Sequence, residues 1–295
     1  MDEKDYQIMK ALWETKNITK AAEMLYITQS ALSKRIFNME EELNQNLLIR
    51  YRTGVHFTPA GERVLQYCLE GMDRLRHMQA DLEQITAEVS GTLNAACSIN
   101  FSMYVLPEIL YDYHQMYPKV NLEISTGQSR DLYKNLVNRV LDVAILRGEY
   151  AWNGLRMQIN QEKLCVVYAN EYQDTPLTDY MYIARKSDSI QETEIKNWMN
   201  EKGILAAQHA NIRTDSIVSS LEMVRLGLGW SIIPEIALRD FKGTIHPCVM
   251  NDGRTLVRNT YLFCQPETED LPQVKAFIDA VQTHIKETPK LRLSD

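Results

Sequence analysis

A chain of 295 residues and 34.2 kDa has room for about two domains of the usual size, roughly 100–200 residues each. Its 45% hydrophobic residues, with only 12 glycines and 9 prolines, exclude a low-complexity or disordered chain. The formal charge of −7 and pI near 5.5 argue against nucleic acid for the chain taken whole, but the sign is local: Lys34, Arg35, Arg50, Arg52 and Arg63 form a basic cluster in the first third.

Residues 3–15 read as a helix, with Tyr6, Met9, Leu12 and Trp13 at helical spacing. Asn17-Ile18-Thr19 interrupts the pattern, and Thr19 is expected to cap a second helix over 20–25. After a short turn at Tyr26-Ile27, Thr28 caps a third helix to about Leu43. Its apolar face is Leu32, Ile36, Met39 and Leu43, and its polar face is Gln29, Ser30, Ser33 and Lys34. Two helices, a tight turn and a polar-faced helix make a helix-turn-helix. The runs 47–50 and 55–57 flank Tyr51-Arg52-Thr53-Gly54 and read as a hairpin with glycine in the turn, placed as a wing. Thr58-Pro59 is a strong helix start. From it a helix runs to about Val89, with Leu65, Cys68, Met72, Leu75, Gln79, Leu82, Thr86 and Val89 in alternating steps of three and four. This is a heptad seam suited to a dimerising coiled coil; the alternative is an amphipathic helix lying on its own domain.

From Gly91 the pattern changes. Strands over 93–99, 120–125 and 141–146 alternate with helices over 103–117 and from Ser129 to Val140, which implies parallel βαβ units in a doubly wound sheet. Further strands are expected over 163–169, 179–184, 210–213, 230–233 and 258–263. Ser189 caps a helix to Glu201, Asp215 or Ser216 starts one to Leu226, and a last helix covers 271–286. The chain therefore divides into a winged helix-turn-helix part (1–58), a linker and dimerisation helix (59–90) and an α/β part (91–295). The last splits into subdomain I (91–162 and 267–295) and subdomain II (163–266).

Residues 17–63, from Asn-Ile-Thr-Lys-Ala-Ala-Glu-Met-Leu through Thr-Gln-Ser-Ala-Leu-Ser-Lys-Arg-Ile to Thr-Pro-Ala-Gly-Glu-Arg, closely resemble the LysR-type transcriptional regulators. The likeness continues through Leu106-Pro107, Tyr117-Pro118-Lys119-Val120, Leu141-Asp142-Val143-Ala144 and the run from Gly227 to Pro234. The resemblance implies an α/β protein with an N-terminal all-α winged helix-turn-helix, a linker helix, and a two-subdomain sensor domain of periplasmic-binding-protein type. It also implies double-stranded promoter DNA and a small-molecule effector as partners, assembly as a homodimer or homotetramer, and RNA polymerase as a further partner. The chain departs from the family pattern at Ser30, where proline is common, and at Phe37 and Asn38, where basic residues are common. Its wing arginine is Arg52, where the family places one near Thr53.

A major groove admits one helix and is read by side chains near its N-terminus. Thr28, Gln29, Ser30, Ser33 and Lys34 stand there. Gln29 suits adenine, Ser33 a phosphate, and Lys34 a guanine or a phosphate, while Arg50, Arg52 and Thr53 of the wing suit phosphates or the minor groove. In open α/β sheets ligands sit beyond the carboxyl ends of the strands. Ser98, Asn100, Phe101, Ser102, Gln128, Ser129 and Thr214 stand at three such ends that lead into helices, and Arg147 follows a fourth strand. Free helix N–H groups and a guanidinium favour an anion, so a small carboxylate effector is expected.

Two other readings stay open. One is a redox-sensing regulator; Cys97 and Cys165 lie in apolar strand patterns, whereas Cys248 and Cys264 are less clear. The other, of a different class, is an enzyme or a transport protein. No G-x-S-x-G, P-loop, H-E-x-x-H or G-x-G-x-x-G occurs, and the six histidines are scattered, so no catalysis, cofactor or metal is expected. The five cysteines are odd in number and widely spaced, the acidic start lacks a signal peptide's features, and no window approaches about 18 apolar residues. A reducing cytoplasm and no membrane association are expected.

Overall fold

In the computed structural model, which describes residues 1–51, 54–83, 89–186, 189–204 and 212–287, helix α1 (Glu3–Thr15) starts in a reciprocal cap. Asp2 accepts the Asp5 N–H and Asp5 accepts the Asp2 N–H. Helix α2 (Ile18–Met24) is capped by Asn17 rather than Thr19, because the Asn17 carboxamide sits one residue ahead of the helix and accepts from both Thr19 and Lys20. Thr28 caps α3 (Gln29–Leu43) by accepting the Ala31 N–H at 3.2 Å. Ala21 and Ala22 are buried, and Leu32, Ile36 and Met39 share one core with Ile8, Met9 and Leu12.

The wing forms as expected. Strands β1 (Leu48–Tyr51) and β2 (Gly54–Phe57) pair antiparallel, Leu48 opposite Phe57. Gly54 has φ +141°, and a Cβ there would lie 2.4 Å from the Lys16 carbonyl oxygen, which accepts the Val55 N–H at 2.9 Å. The hairpin is thereby tied to the end of α1.

Thr58 caps α4 (Pro59–Glu83), accepting the Gly61 N–H at 3.0 Å. The heptad seam is split. Leu65 and Cys68 are buried with Leu69 in the N-terminal core, so the first half of the helix lies on its own domain. Leu75 is partly exposed; the Leu82 side chain and Thr86 fall outside what is described. The second half of α4 meets the C-terminal region. Arg76 bonds Asp73 and, at 2.6 Å, the wholly buried Asp142, which also accepts the Asn94 N–H at 2.8 Å. Arg139 pairs with Glu267 at 2.5 Å, and the Glu267 carbonyl meets His77.

The C-terminal sheet runs β4 (Val120–Gly127), β3 (Gly91–Ser98), β5 (Val143–Arg147), β11 (Val257–Cys264), β6 (Arg156–Tyr168), β10 (Thr244–Pro247), with β9 (Ser231–Pro234) also on β6. Only β4, β3 and β5 are mutually parallel; β11, β9 and β10 run antiparallel to their neighbours. The expected doubly wound parallel sheet is thus limited to three strands. Strands β6 and β11 pass from one lobe to the other, and the anticipated boundary at 162/163 falls inside β6, whose first half is too polar to read as a strand.

The helix expected over 103–117 is two helices, α5 (Ile99–Tyr104) and α6 (Leu106–Met116), because Pro107 in the first turn favours a fresh start. Helix α7 (Ser129–Val137) has Gln128, not Ser129, at its cap position. In the second lobe β7 (Ile183–Arg185) pairs parallel with β8 (Ile212–Thr214), beside α8 (Ser189–Glu201) and α9 (Ile217–Arg225). Part of the strand expected over 210–213 lies outside the described residues. Helix α10 (Pro272–Glu287) packs Phe277 and Val281 into the core of the first lobe.

Candidate nucleic-acid interface and ligand cleft

The turn and α3 leave a continuous polar edge. Thr28, Gln29, Ser30 and Lys34 are exposed and Ser33 is half-buried. Gln29 Nε2 donates to Ser33 Oγ at 3.2 Å, and the Thr28 and Ser30 hydroxyls lie 3.1 Å apart. Phe37 extends this edge and is 57% exposed; Tyr26, in the turn, is 97% exposed with φ 55°. Neither is among the contacts expected from the sequence. A signal for them exists: both aromatics lie off the Leu32, Ile36, Met39 stripe, where no core requires them.

The basic cluster resolves into two kinds of residue. Arg35 Nε donates to Asp5 at 2.7 Å and its Nη2 bonds Asp2; those hydrogen bonds hold the guanidinium firmly in its charged form. Arg35 is therefore structural. Lys34 and Arg50 are exposed, and Arg50 stands opposite Val55 in the wing. Glu40 is occupied in accepting the Leu47 and Leu48 N–H groups, at 2.7 and 3.2 Å, and Glu42 pairs with the terminal amine at 2.9 Å. Arg52 and Thr53 lie outside the described residues.

Between the two lobes is a cleft of about 690 Å³. Of the residues expected around a ligand, Ser98, Asn100, Phe101, Gln128, Ser129 and Arg147 line it. Ser102 does not; it sits inside α5, where its hydroxyl donates to the Ile99 carbonyl at 2.7 Å. Thr214 also falls elsewhere, on a neighbouring hollow of about 730 Å³ with Tyr182 and Met199, and its hydroxyl accepts the Ser216 N–H at 3.1 Å. Ser129 Oγ accepts the Arg147 N–H at 2.9 Å, which locks α7 to the end of β5. Ser216 caps α9 by accepting the Ser219 N–H at 3.2 Å.

Sequence reading misses the charged floor. Arg258 of β11 and Glu162 of β6 line the cleft and are 6% and 5% exposed. A cation in the otherwise apolar-facing strand 257–264 is the available clue. Around the whole lining, Arg130, Arg147, Arg185, Lys186 and Arg258 outnumber Glu149, Glu162 and Asp215 by five to three.

Residues 4–62 match the bacterial regulatory helix-turn-helix protein, lysR family, and residues 86–286 match the LysR substrate binding domain. The chain belongs to the LysR family of transcriptional regulators. It is 32% identical over 280 residues to the uncharacterized HTH-type transcriptional regulator YraN of Bacillus subtilis, covering 95% of this chain and 96% of that one. It is 27% identical over 285 residues to YkuM of the same organism, covering 96% and 97%. Among solved structures, a full-length single-site variant of OxyR from Pseudomonas aeruginosa superposes with TM-score 0.65 at 17% identity, covering 97% of this chain and 95% of that chain. Full-length CbnR complexed with its target DNA gives 0.60 at 17%, covering 96% and 100%. These two likenesses are of fold.

Within this LysR-family chain all five cysteines are buried. Desolvation pushes the Cys68 and Cys165 thiols up to about 12 and raises Cys97, Cys248 and Cys264 as well. A peroxide-reactive cysteine needs the opposite, a lowered pKa and access. No helix among the described residues is long and apolar enough to cross a membrane.

Proposed function

We propose that this LysR-family regulator binds double-stranded promoter DNA sequence-specifically, and that a small anionic effector in the interlobe cleft controls the binding. The observation that carries the first part is the Thr28-capped α3, which holds Gln29, Ser30, Ser33 and Lys34 on one solvent-facing edge beside the wing. Gln29 makes a bidentate pair with adenine, Lys34 meets a guanine or a phosphate, and Ser33 meets a phosphate. Arg50, Arg52 and Thr53 contact phosphates or the minor groove. Residues 1–58 form the DNA-binding part, 59–90 the linker and 91–295 the effector-binding part. Two copies joined through α4 as a homodimer, or four as a homotetramer, set recognition helices about 34–36 Å apart on successive major grooves. The bound regulator then acts on RNA polymerase, in the cytoplasm and without catalysis.

The excess of cations around the cleft supports an anionic effector, and the start of α7, whose cap residue makes no side-chain hydrogen bond, adds to it. The test is titration of the DNA upstream of the protein's own gene, and of a random duplex, by fluorescence anisotropy at two salt concentrations. Gln29→Ala weakens promoter binding by about 1–3 kcal/mol and leaves random-duplex binding nearly unchanged. Equal losses on both duplexes reject base reading by Gln29. Failure of the unmutated protein to bind any promoter fragment at low salt rejects the regulator reading.

A further inference from the structure

Arg258 lies on β11, one of the two strands that pass between the lobes, directly opposite Glu162 of β6 in the antiparallel register. Glu162 takes one edge of the guanidinium. Arg258 Nε donates to Oε1 at 2.7 Å, and Nη2 bonds the same oxygen. The other carboxylate oxygen, Oε2, accepts the Ile236 N–H at 3.1 Å, in the short turn after β9. Both carboxylate oxygens of Glu162 are thus engaged. Nη1 is left buried, with no hydrogen-bond partner, on a residue that forms part of the cleft wall. A buried donor without an acceptor is costly, and native proteins retain few of them.

The surroundings of Nη1 specify the acceptor. Arg147 of β5 is paired in register with Thr260, two residues along β11 from Arg258. Cross-strand partners and alternate residues share a sheet face, so Arg147, Thr260 and Arg258 project from the same side, and all three line the cleft. Diagonal neighbours in such a ladder are about 7–8 Å apart, within the span of one small organic acid. Glu162 offsets the charge of Arg258, yet the whole lining still carries two more cations than anions, so a neutral carbonyl is disfavoured against an anionic oxygen.

Resting on the cleft being the effector site, we infer that Arg258 is the carboxylate anchor of that site: Nη1 donates to a carboxylate oxygen of the effector on the cleft floor. Glu162 positions the guanidinium. Because Glu162 also holds the Ile236 N–H, a ligand on Nη1 is bonded through a single residue pair to both the crossing strands and the second lobe. Binding at this point favours one relative setting of the lobes, the kind of differential contact that shifts a conformational equilibrium.

The test is isothermal titration of the full-length chain with acetate, succinate and benzoate, and with acetamide, succinamide and benzamide. At least one carboxylate binds saturably, and its amide counterpart binds at least tenfold more weakly. Arg258→Lys, which keeps the charge and loses the fork, weakens the carboxylate at least tenfold, while Arg63→Gln on α4 leaves it within twofold. Loss of Arg258 strands Glu162, so the paired variant Glu162→Gln with Arg258→Gln is measured too, its fold checked by circular dichroism. Carboxylate binding within twofold of the unmutated protein in that folded variant overturns the proposal, and so does the absence of saturable binding by all three acids. Promoter binding without ligand is recorded on the same samples. If promoter binding persists while carboxylate binding is absent, Arg258 falls and the regulator reading stands; if the unmutated protein ignores the promoter, the regulator reading falls.

Discussion

Thr28, Gln29, Ser30, Ser33 and Lys34 reach the solvent along seven consecutive positions of one capped helix. Ser98, Gln128, Arg147, Ser216 and Arg258 reach the cleft from the ends or middles of five separate elements, up to 160 residues apart in sequence. The first group needs only a cap, a 3.6-residue period and the small Ala21-Ala22 contact to be placed. The second exists only once β3, β5, β6 and β11 have found their register, which requires closing long loops. A surface built locally tolerates change elsewhere in the chain; one built from distant strands inherits every weakness of the sheet. The joint between them includes the Arg76–Asp142 ion pair, the His77–Glu267 contact and Val140, which is buried in the N-terminal core.

That joint offers the largest test of the comparison. Asp142 is fully buried and accepts from Arg76 and from the Asn94 N–H. Asp142→Ala leaves the Asn94 N–H without its acceptor and Arg76 with Asp73 as its remaining carboxylate, and removing one member of a buried pair costs about 3–5 kcal/mol. Urea unfolding followed by tryptophan fluorescence measures it. A loss under about 1 kcal/mol would mean that α4 is not anchored to the C-terminal region through this contact.

Leu32→Ala separates the two regions from the other side. Leu32 is wholly buried among Ile8, Leu12 and Ile36, so the truncation costs about 2–5 kcal/mol. Its damage should stay local: promoter binding falls at least tenfold, while carboxylate titration of the cleft is unchanged within error. A matching loss in the cleft would show that the two regions unfold as one unit and that the contrast drawn between local and distant assembly is wrong.

The same contrast explains what can be read in the sequence. Helix α3, its Thr28 cap, the wing glycine and Pro59 are legible because each is a local signal with a local cause. The cap of α2 lies two residues before the expected one because Asn17 and Thr19 are both good caps and only the backbone start decides between them. The coiled-coil seam reads too long because a heptad pattern does not say which side of the helix is already covered; Leu65 and Cys68 are covered by α1 and its neighbours. Of the residues expected at strand ends, Ser98, Gln128 and Arg147 line the cleft, whereas Ser102 lies inside α5 and Thr214 lines the neighbouring hollow. Arg258 and Glu162 escape notice because each is unremarkable in its own strand, and their meaning lies in a register between residues 96 apart.

The smallest expected effect concerns the cysteines, which lie in both regions: Cys68 on the buried face of α4, the rest in the C-terminal sheet and its surroundings. Burial raises Cys68 and Cys165 from the ordinary value of 9.0 to about 12, so the folded state favours the neutral thiol. Stability from this source is fully present below pH 9, where the unfolded thiols are also neutral, and is lost as the pH rises from about 9 toward 12. At pH 8 an aromatic disulfide reagent should therefore react with none of the thiols until urea unfolds the chain, and peroxide should change promoter binding less than twofold. Rapid reaction of one thiol in the folded protein would reopen the redox reading, and the position of that thiol would say which region carries it: Cys68 would point to the linker, and Cys97 or Cys165 to the sheet that forms the cleft.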